Sequence, residues 1–361
     1  MNAFVDFLNS GIRLTTPILF AAIASLISAR AGVLNLAIES KVLAGAFVSI
    51  LVAAATGNTI LGVLAGAAVG GLIGLLMAVA NRFGVDLVVL AIGLNILVLQ
   101  LTVYLMRTYL GGVGTFSPGT GRIEPLVIPG LSDLPVVGAL LDRLNWLVYL
   151  GFGLVILLAV YFRTRNGRHL LAVGEAPRAA ASAGIQVGRM QLWALIVAGC
   201  VAGIGGAFLS VGDLGLFTRN MSSDRGWIGI TAALLALNRP ALLIPAAGIF
   251  GFASAASIRL QQLDVPANLT QFIPQGAAFV ALVLVGIRST SRGSLTRLWG
   301  QSSRIPIGWL LRSKPDSPAP PAPLAMSASP APSASPTPSA SPAPSAPSAP
   351  PSPPAPPTSP H

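Results

Sequence analysis

Eight or nine apolar runs, all but one free of charged side chains and each closed off by charge or turn residues, constrain this chain more than any other feature. A helix crossing a bilayer needs about 20 mostly apolar residues, because only a closed hydrogen-bonded element satisfies its backbone in hydrocarbon. Such runs occupy residues 14–28, 33–56, 59–80, 87–106, 145–162, 191–211, 227–238, 241–258 and 270–287. The 227–238 run is too short to cross fully and reads as a re-entrant or tilted helix, which leaves eight or nine transmembrane helices. The expected fold class is therefore all-α and polytopic. Composition agrees: 53% of the 361 residues are hydrophobic and 9% charged, against about a quarter charged in soluble domains. The opening run follows Asp6 and Arg13 without a basic leader or a small-residue cleavage site, so it reads as a span rather than a signal peptide.

Basic residues are retained on the cytoplasmic side of a membrane, which orients the chain. The loop 163–190 carries Arg163, Arg165, Arg168, Arg178 and Arg189 against Glu175 alone, and segment 288–314 carries six basic residues and no acid. Both are expected inside. The connection 108–144 and the segment 212–226 balance base with acid and are expected outside. Counting back through the spans places Ala29–Arg30 and Asn81–Arg82 inside and the N-terminus outside, with residues 1–13 forming an interfacial segment. The last 47 residues, 315–361, hold 19 of the 30 prolines among Ala and Ser. Such a stretch cannot bury a core and is expected to be a disordered, partly polyproline-II tail.

Several chemistries are disfavoured. One cysteine and two histidines cannot build a disulfide framework or a multi-ligand Cys/His metal site within one subunit. The two lysines, Lys41 and Lys314, are not preceded by glycine, so there is no phosphate-cradling P-loop. Chains of intramembrane Asp, Glu and His, by which many carriers bind a coupling ion, are lacking; Glu39, Lys41 and Asp86 are the candidates. These absences favour a passive pore-forming subunit energised by another polypeptide. An ion-coupled secondary carrier or a channel needing no ATPase stays open as the alternative. No catalytic residues, metal, bound cofactor or nucleic-acid partner are expected.

Two segments are informative. Asn35 and Glu39 are four residues apart, so on a helix they would form one polar stripe, while Glu39 and Lys41 would point apart. The stripe either lines a solute pathway at a discontinuous helix or caps and bonds neighbouring helices. In the basic loop, Pro177 suits a first helical turn, Arg178 to Ala183 are mostly good helix formers, and Gly184 suits a left-handed stop. A helix this short gains order only by docking, and its alanine face allows close approach to a partner.

Together, Thr16-Pro17, Gly32-Val-Leu-Asn-Leu-Ala-Ile-Glu39 and Gly174-Glu-Ala-Pro-Arg-Ala-Ala-Ala-Ser-Ala-Gly184-Ile185 resemble the inner-membrane permease subunits of bacterial ABC importers. The branch is that of branched-chain amino acid, ribose-type sugar and nucleoside permeases, nearest in kind to the nucleoside and simple-sugar members. The likeness runs from about Leu14 to Ile287, making 14–287 a permease domain with 163–190 as its coupling loop. It implies that Gly174, Glu175, Ala179, Ala180 and Gly184 couple to a cytoplasmic ATPase, through which alone ATP enters the reaction. It also implies a second permease or a homodimer, an external solute-binding protein, and a place in the bacterial cytoplasmic membrane, surrounded by lipid. Asp86-Leu-Val-Val-Leu-Ala-Ile-Gly-Leu-Asn95 and Gly248-Ile-Phe-Gly-Phe-Ala253 are similar to family stretches too. So is the segment from Phe217 to Trp227, which in related permeases faces the binding protein. Asn35, Glu39 and Asn95 are the implied substrate-pathway residues, with a helix-bridging hydrogen bond as the other reading of Asn95. Ser40 and Lys41 depart from the small or apolar residues usual after the glutamate. Either the solute differs or Lys41 snorkels to the interface.

Overall fold

A computed structural model describes residues 2–111, 114–119, 122–124, 144–262 and scattered positions from 270 to 283. The elements are α1 (Asn2–Arg30), α2 (Ile38–Thr56), α3 (Thr59–Arg82), α4 (Leu87–Tyr109), β1 (Thr115–Phe116), α5 (Trp146–Tyr161), α6 (Arg165–Glu175) and α7 (Pro177–Ser182). They continue with α8 (Val187–Ala207), a π-helical turn (Phe208–Leu214), β2 (Phe217–Thr218), α9 (Arg225–Leu235) and α10 (Pro240–Gln261). Local chemistry sets many of the helix starts. Asn58, Asp86, Asn145 and Thr164 each accept backbone N–H bonds at the N-cap of α3, α4, α5 and α6, relieving donors that no residue within the helix can satisfy.

Six of these helices are long and apolar enough to cross a membrane, and the bent pair α5–α6 makes up to seven. The expected eight or nine are not all found among the described residues. Two causes account for it: α9 has only 11 residues, about 16 Å, and most of the 270–287 run lies outside the described residues, its described positions being helical. Segments 288–314 and 315–361 also lie outside them. Residues 2–13 continue α1 without a break, and Arg13 is ion-paired with Asp213 of the π-helical turn.

The core is built on α1, α2, α3 and α8. The seam between α3 and α8 is lined by Gly66, Gly70 and Gly74 against Gly199, Gly203 and Leu195, and a Cβ on Gly70 would run into the carbonyl oxygen of Gly199. Small residues on both helices bring the backbones into direct contact, the packing that replaces hydrophobic burial as the glue between helices in lipid. Exposed Leu, Ile, Val and Tyr cover the outward faces of α3 and α4, as a lipid-facing surface requires.

The two ends of the bundle are distinct. At one end Arg30 Nε donates to Asn238 O (2.7 Å), Gln191 Nε2 to Ala31 O (3.3 Å) and Asn81 Nδ2 to Gln191 Oε1 (3.2 Å). The loop bearing α6 and α7 shares this end, since Gly174 packs against Arg30 and Gly32. At the other end β1 pairs antiparallel with β2, Thr115 opposite Thr218, and Asn145 Nδ2 donates to Gly212 O at 2.7 Å. Arg30, Asn81 and the α6–α7 loop, expected inside, thus share one end, and Thr115, Gly212 and Thr218, expected outside, share the other.

Candidate functional site

Two helices start inside the bundle rather than at its ends. The chain leaves α1 at Arg30, runs through a turn and an irregular stretch, and resumes helix only at Ile38. On the other side, β2 leads into residues 219–224, three of which, Asn220, Ser223 and Asp224, hold positive φ, and α9 begins at Arg225. Gly229, in the second turn of α9, packs on Ala21 and Ala22, about two-thirds of the way along α1, so α9 begins inside the bundle rather than at its end. Irregular backbone at that depth occurs where it is enclosed by protein or lines a cavity.

Neither helix start is capped by its own N-cap residue: Ala37 has no hydrogen-bonding side chain and Asp224 makes no side-chain cap. Other elements supply the bonds. Glu39 Oε2 accepts the N–H of Gly226 at 2.7 Å and Oε1 that of Asp224 at 3.2 Å, placing a carboxylate at the positive end of α9. Asn95 of α4 clamps the start of α2, its Oδ1 accepting from Ser40 N (3.0 Å) while its Nδ2 donates to Leu36 O (3.1 Å). Asn35 precedes α2, so it and Glu39 do not form the helical stripe expected from their spacing. Asn35 Oδ1 instead accepts from Lys41 Nζ at 2.7 Å, and its Nδ2 donates to Ser28 Oγ at 3.3 Å. Lys41 also touches Met77 Sδ (3.3 Å) and is fully buried. It does not snorkel.

Beside these junctions lies a cavity of about 190 Å³ lined by Glu39, Ser40, Asn95, Asn220, Asp224 and Trp227 among others. Glu39 and Asn95 reach it, but their polar atoms are engaged in capping. Asn35 is not part of its wall. Asn220, Asp224 and Trp227 are exposed to it, although sequence reasoning had placed their segment on the outer face. The available signal was Asp224-Arg-Gly-Trp227 at the head of a run too short to span.

The loop end has its own geometry. Helix α5 breaks at Phe162 and α6 leaves at 82°. Pro177 occupies the first turn of α7, and Gly184 closes it at φ +82°, its N–H bonded to Ala181 O at 2.9 Å. Of the expected coupling residues, Glu175, Ala179 and Gly184 are exposed, whereas Ala180 is buried and faces inward. Gly174 is half-buried, its backbone against Arg30 O and Gly32.

A multi-pass helical bundle with broken helices meeting beside a half-open cavity of mixed polar and apolar lining, and an exposed helical elbow at one end, has the architecture of a membrane transport subunit. The chain belongs to the family described as branched-chain amino acid transport system / permease component, whose model matches residues 7–287. It is 33% identical over 278 residues to a putative glucose ABC transporter permease of Haloferax volcanii, covering 73% of this chain and 80% of the relative. A guanosine ABC transporter permease of Bacillus subtilis is 31% identical over 258 residues, covering 67% and 78%. A nucleoside ABC transporter permease of Lactococcus lactis is 27% identical over 287 residues, covering 75% and 89%. In each of these organisms a second permease named for the same solute also matches. No solved structure is a significant match. The chain is an ABC-transporter permease, a multi-pass transport subunit rather than an enzyme.

Proposed function

We propose that this chain is one of two related permease subunits of an importer that carries a nucleoside or similar uncharged heterocycle, with a simple sugar as the next candidate, across the bacterial cytoplasmic membrane. The observation that carries this reading is the set of relatives, in which nucleoside, guanosine and glucose permeases match over two thirds or more of the chain. Their occurrence as same-solute pairs supports a second, non-identical permease here. Two cytoplasmic ATPases energise the complex and a soluble binding protein delivers the solute. In this mechanism closure of the ATPases pushes on the exposed elbow α6–α7. The Gly174 contact passes the movement to the connector 31–37, and so to the capped helix starts at the cavity. The chemistry of this chain is conformational.

The test is purification of the chain from its native membrane in mild detergent, with mass spectrometry of what accompanies it. An ATPase and a second permease co-purify if the proposal holds. Recovery of the chain alone, active in liposomes without ATP, sinks it in favour of an ion-coupled carrier or a channel.

A further inference from the structure

The polar groups around the central cavity divide into those already used and those left over. Both carboxylate oxygens of Glu39 are committed to backbone N–H groups of α9, and both the oxygen and the nitrogen of Asn95 are bonded to α2. On the same wall, the carboxylate of Asp224, the amide of Asn220 and the indole N–H of Trp227 make no hydrogen bond among the described residues, and all three side chains are exposed. Trp227 is 38% exposed in the first turn of α9. The next turn, at Gly229, packs about two-thirds of the way along α1, within its membrane-spanning stretch, where lipid would surround an outward face. An acid, an amide and an indole N–H left there without partners would be costly against hydrocarbon. The face that bears them therefore faces water or solute.

Resting on the importer reading above, we propose that Trp227, Asp224 and Asn220 form the solute-recognition platform of this subunit and that it takes a neutral nucleoside. The indole supplies a flat apolar face on which a base stacks. The Asn220 amide offers a donor and an acceptor to the polar edge of the base, and the Asp224 carboxylate accepts from ribose hydroxyls. Glu39 and Asp224 put two acids on this wall, while Lys41 is sealed behind it against Asn35 and Met77 and the Arg225 guanidinium is turned to the carbonyls of Met221 and Ser222. A phosphorylated nucleoside is repelled by such a wall, so the platform selects the nucleoside against its monophosphate. Asn220 and Asp224 hold left-handed conformations, which Asn and Asp adopt more readily than other side-chain-bearing residues.

The experiment is uptake of a labelled nucleoside into proteoliposomes holding the complete co-purified transporter and its binding protein, for wild type, Trp227→Phe, Trp227→Leu and Asp224→Asn. Base–aromatic contacts removed by substitution weaken binding by about tenfold or more, so Trp227→Leu raises KM by that order and Trp227→Phe retains most uptake. Asp224→Asn, which the left-handed backbone tolerates, lowers the discrimination between nucleoside and nucleoside monophosphate in competition. Co-purification of each variant with the ATPase verifies its folding. Unchanged KM in Trp227→Leu, together with unchanged discrimination in Asp224→Asn, overturns the platform and leaves the importer reading intact. A wild-type complex that imports glucose and refuses nucleosides overturns the platform and the preferred solute together, while failure of any ATPase to co-purify overturns the importer reading itself.

Discussion

The side chain of Glu39, in the first turn of α2, accepts the backbone N–H of Gly226 in the first turn of α9 at 2.7 Å, across 187 residues of sequence. One interior helix is thus begun by a side chain from another. The second interior start obeys the same rule, with Asn95 of α4 holding α2. The order of the centre depends on three helices keeping their relative positions, so a shift of one is felt as a lost cap in the next.

Removing the Glu39 carboxylate leaves the N–H groups of Asp224 and Gly226 without acceptors in the interior, a loss of about 1–3 kcal/mol for buried donors. Glu39→Ala is expected to lower the melting temperature of the detergent-purified protein clearly, and Glu39→Gln, which keeps one acceptor, to lower it less. A thermal series followed by size-exclusion recovery measures this. Equal melting of all three proteins would show that the cap contributes nothing.

Asn95 is bonded through both ends of its amide. Asn95→Asp keeps the acceptor for Ser40 N but replaces the donor to Leu36 O with an oxygen and adds an acid to a wall that already holds Glu39 and Asp224. Asn95→Asp is expected to be less stable than Asn95→Ala, although aspartate is the closer shape. Chemical denaturation of the two variants side by side gives the order, and a more stable Asp variant would count against the clamp.

Why the spans could be read in advance while the centre could not follows from where the information lies. Apolar runs, and Pro177 with Gly184 around a short helix, are local signals, and among the described residues they correspond to observed elements. The spacing of Asn35 and Glu39 suggested one helical stripe because no residue near Ala37 marks a start. The marks are Asn95 and Glu39 themselves, acting across the fold. Lys41 was misread for the same reason, since its partner Asn35 precedes the helix. Asn220, Asp224 and Trp227 were legible only as a polar prelude to a short apolar run. Their placement at the cavity follows from the inward course of 219–224, which tertiary packing decides.

Lys41 is fully buried with a neutral amide and a thioether as its partners and takes part in no ion pair among the described residues. A buried ammonium carries a desolvation cost that neutral partners do not fully offset, and apolar replacements of buried charges are often neutral or stabilising by about 1–4 kcal/mol. Lys41→Met is expected to melt at the same temperature as wild type or higher, while Lys41→Glu fails to accumulate in the membrane. A marked fall in the melting temperature of Lys41→Met would assign the ammonium a structural role that these contacts do not explain.

The α3–α8 seam allows no side chain at Gly70, whose Cβ would meet Gly199 O and the backbone of Gly203. Neither obstacle is a flexible side-chain end, so the helices themselves must part. Gly70→Val is expected to cost about 3 kcal/mol or more, at the upper end of overpacking effects, and to abolish folded protein in detergent. Gly93 on α4 has open space around it, and Gly93→Val there serves as the control that should express normally.

The contact between Gly174 and the Arg30–Gly32 turn joins the loop bearing α6 and α7 to the start of the connector leading to Glu39. It is made by backbone on both sides: a Cβ on Gly174 would meet Arg30 O, and Gly32 holds φ +73°. Separating these two segments is expected to disconnect the ATPases from the cavity without dismantling the bundle. Gly174→Val should therefore insert, bind the ATPase and hydrolyse ATP, yet show little nucleoside uptake and little stimulation of ATPase activity by loaded binding protein. Glu175→Arg, exposed on the same elbow, should instead weaken ATPase binding itself. Full uptake by Gly174→Val would mean that movement reaches the cavity by another route, and the remaining contacts of α6 and α7 with α1 and α8 would then be the ones to vary.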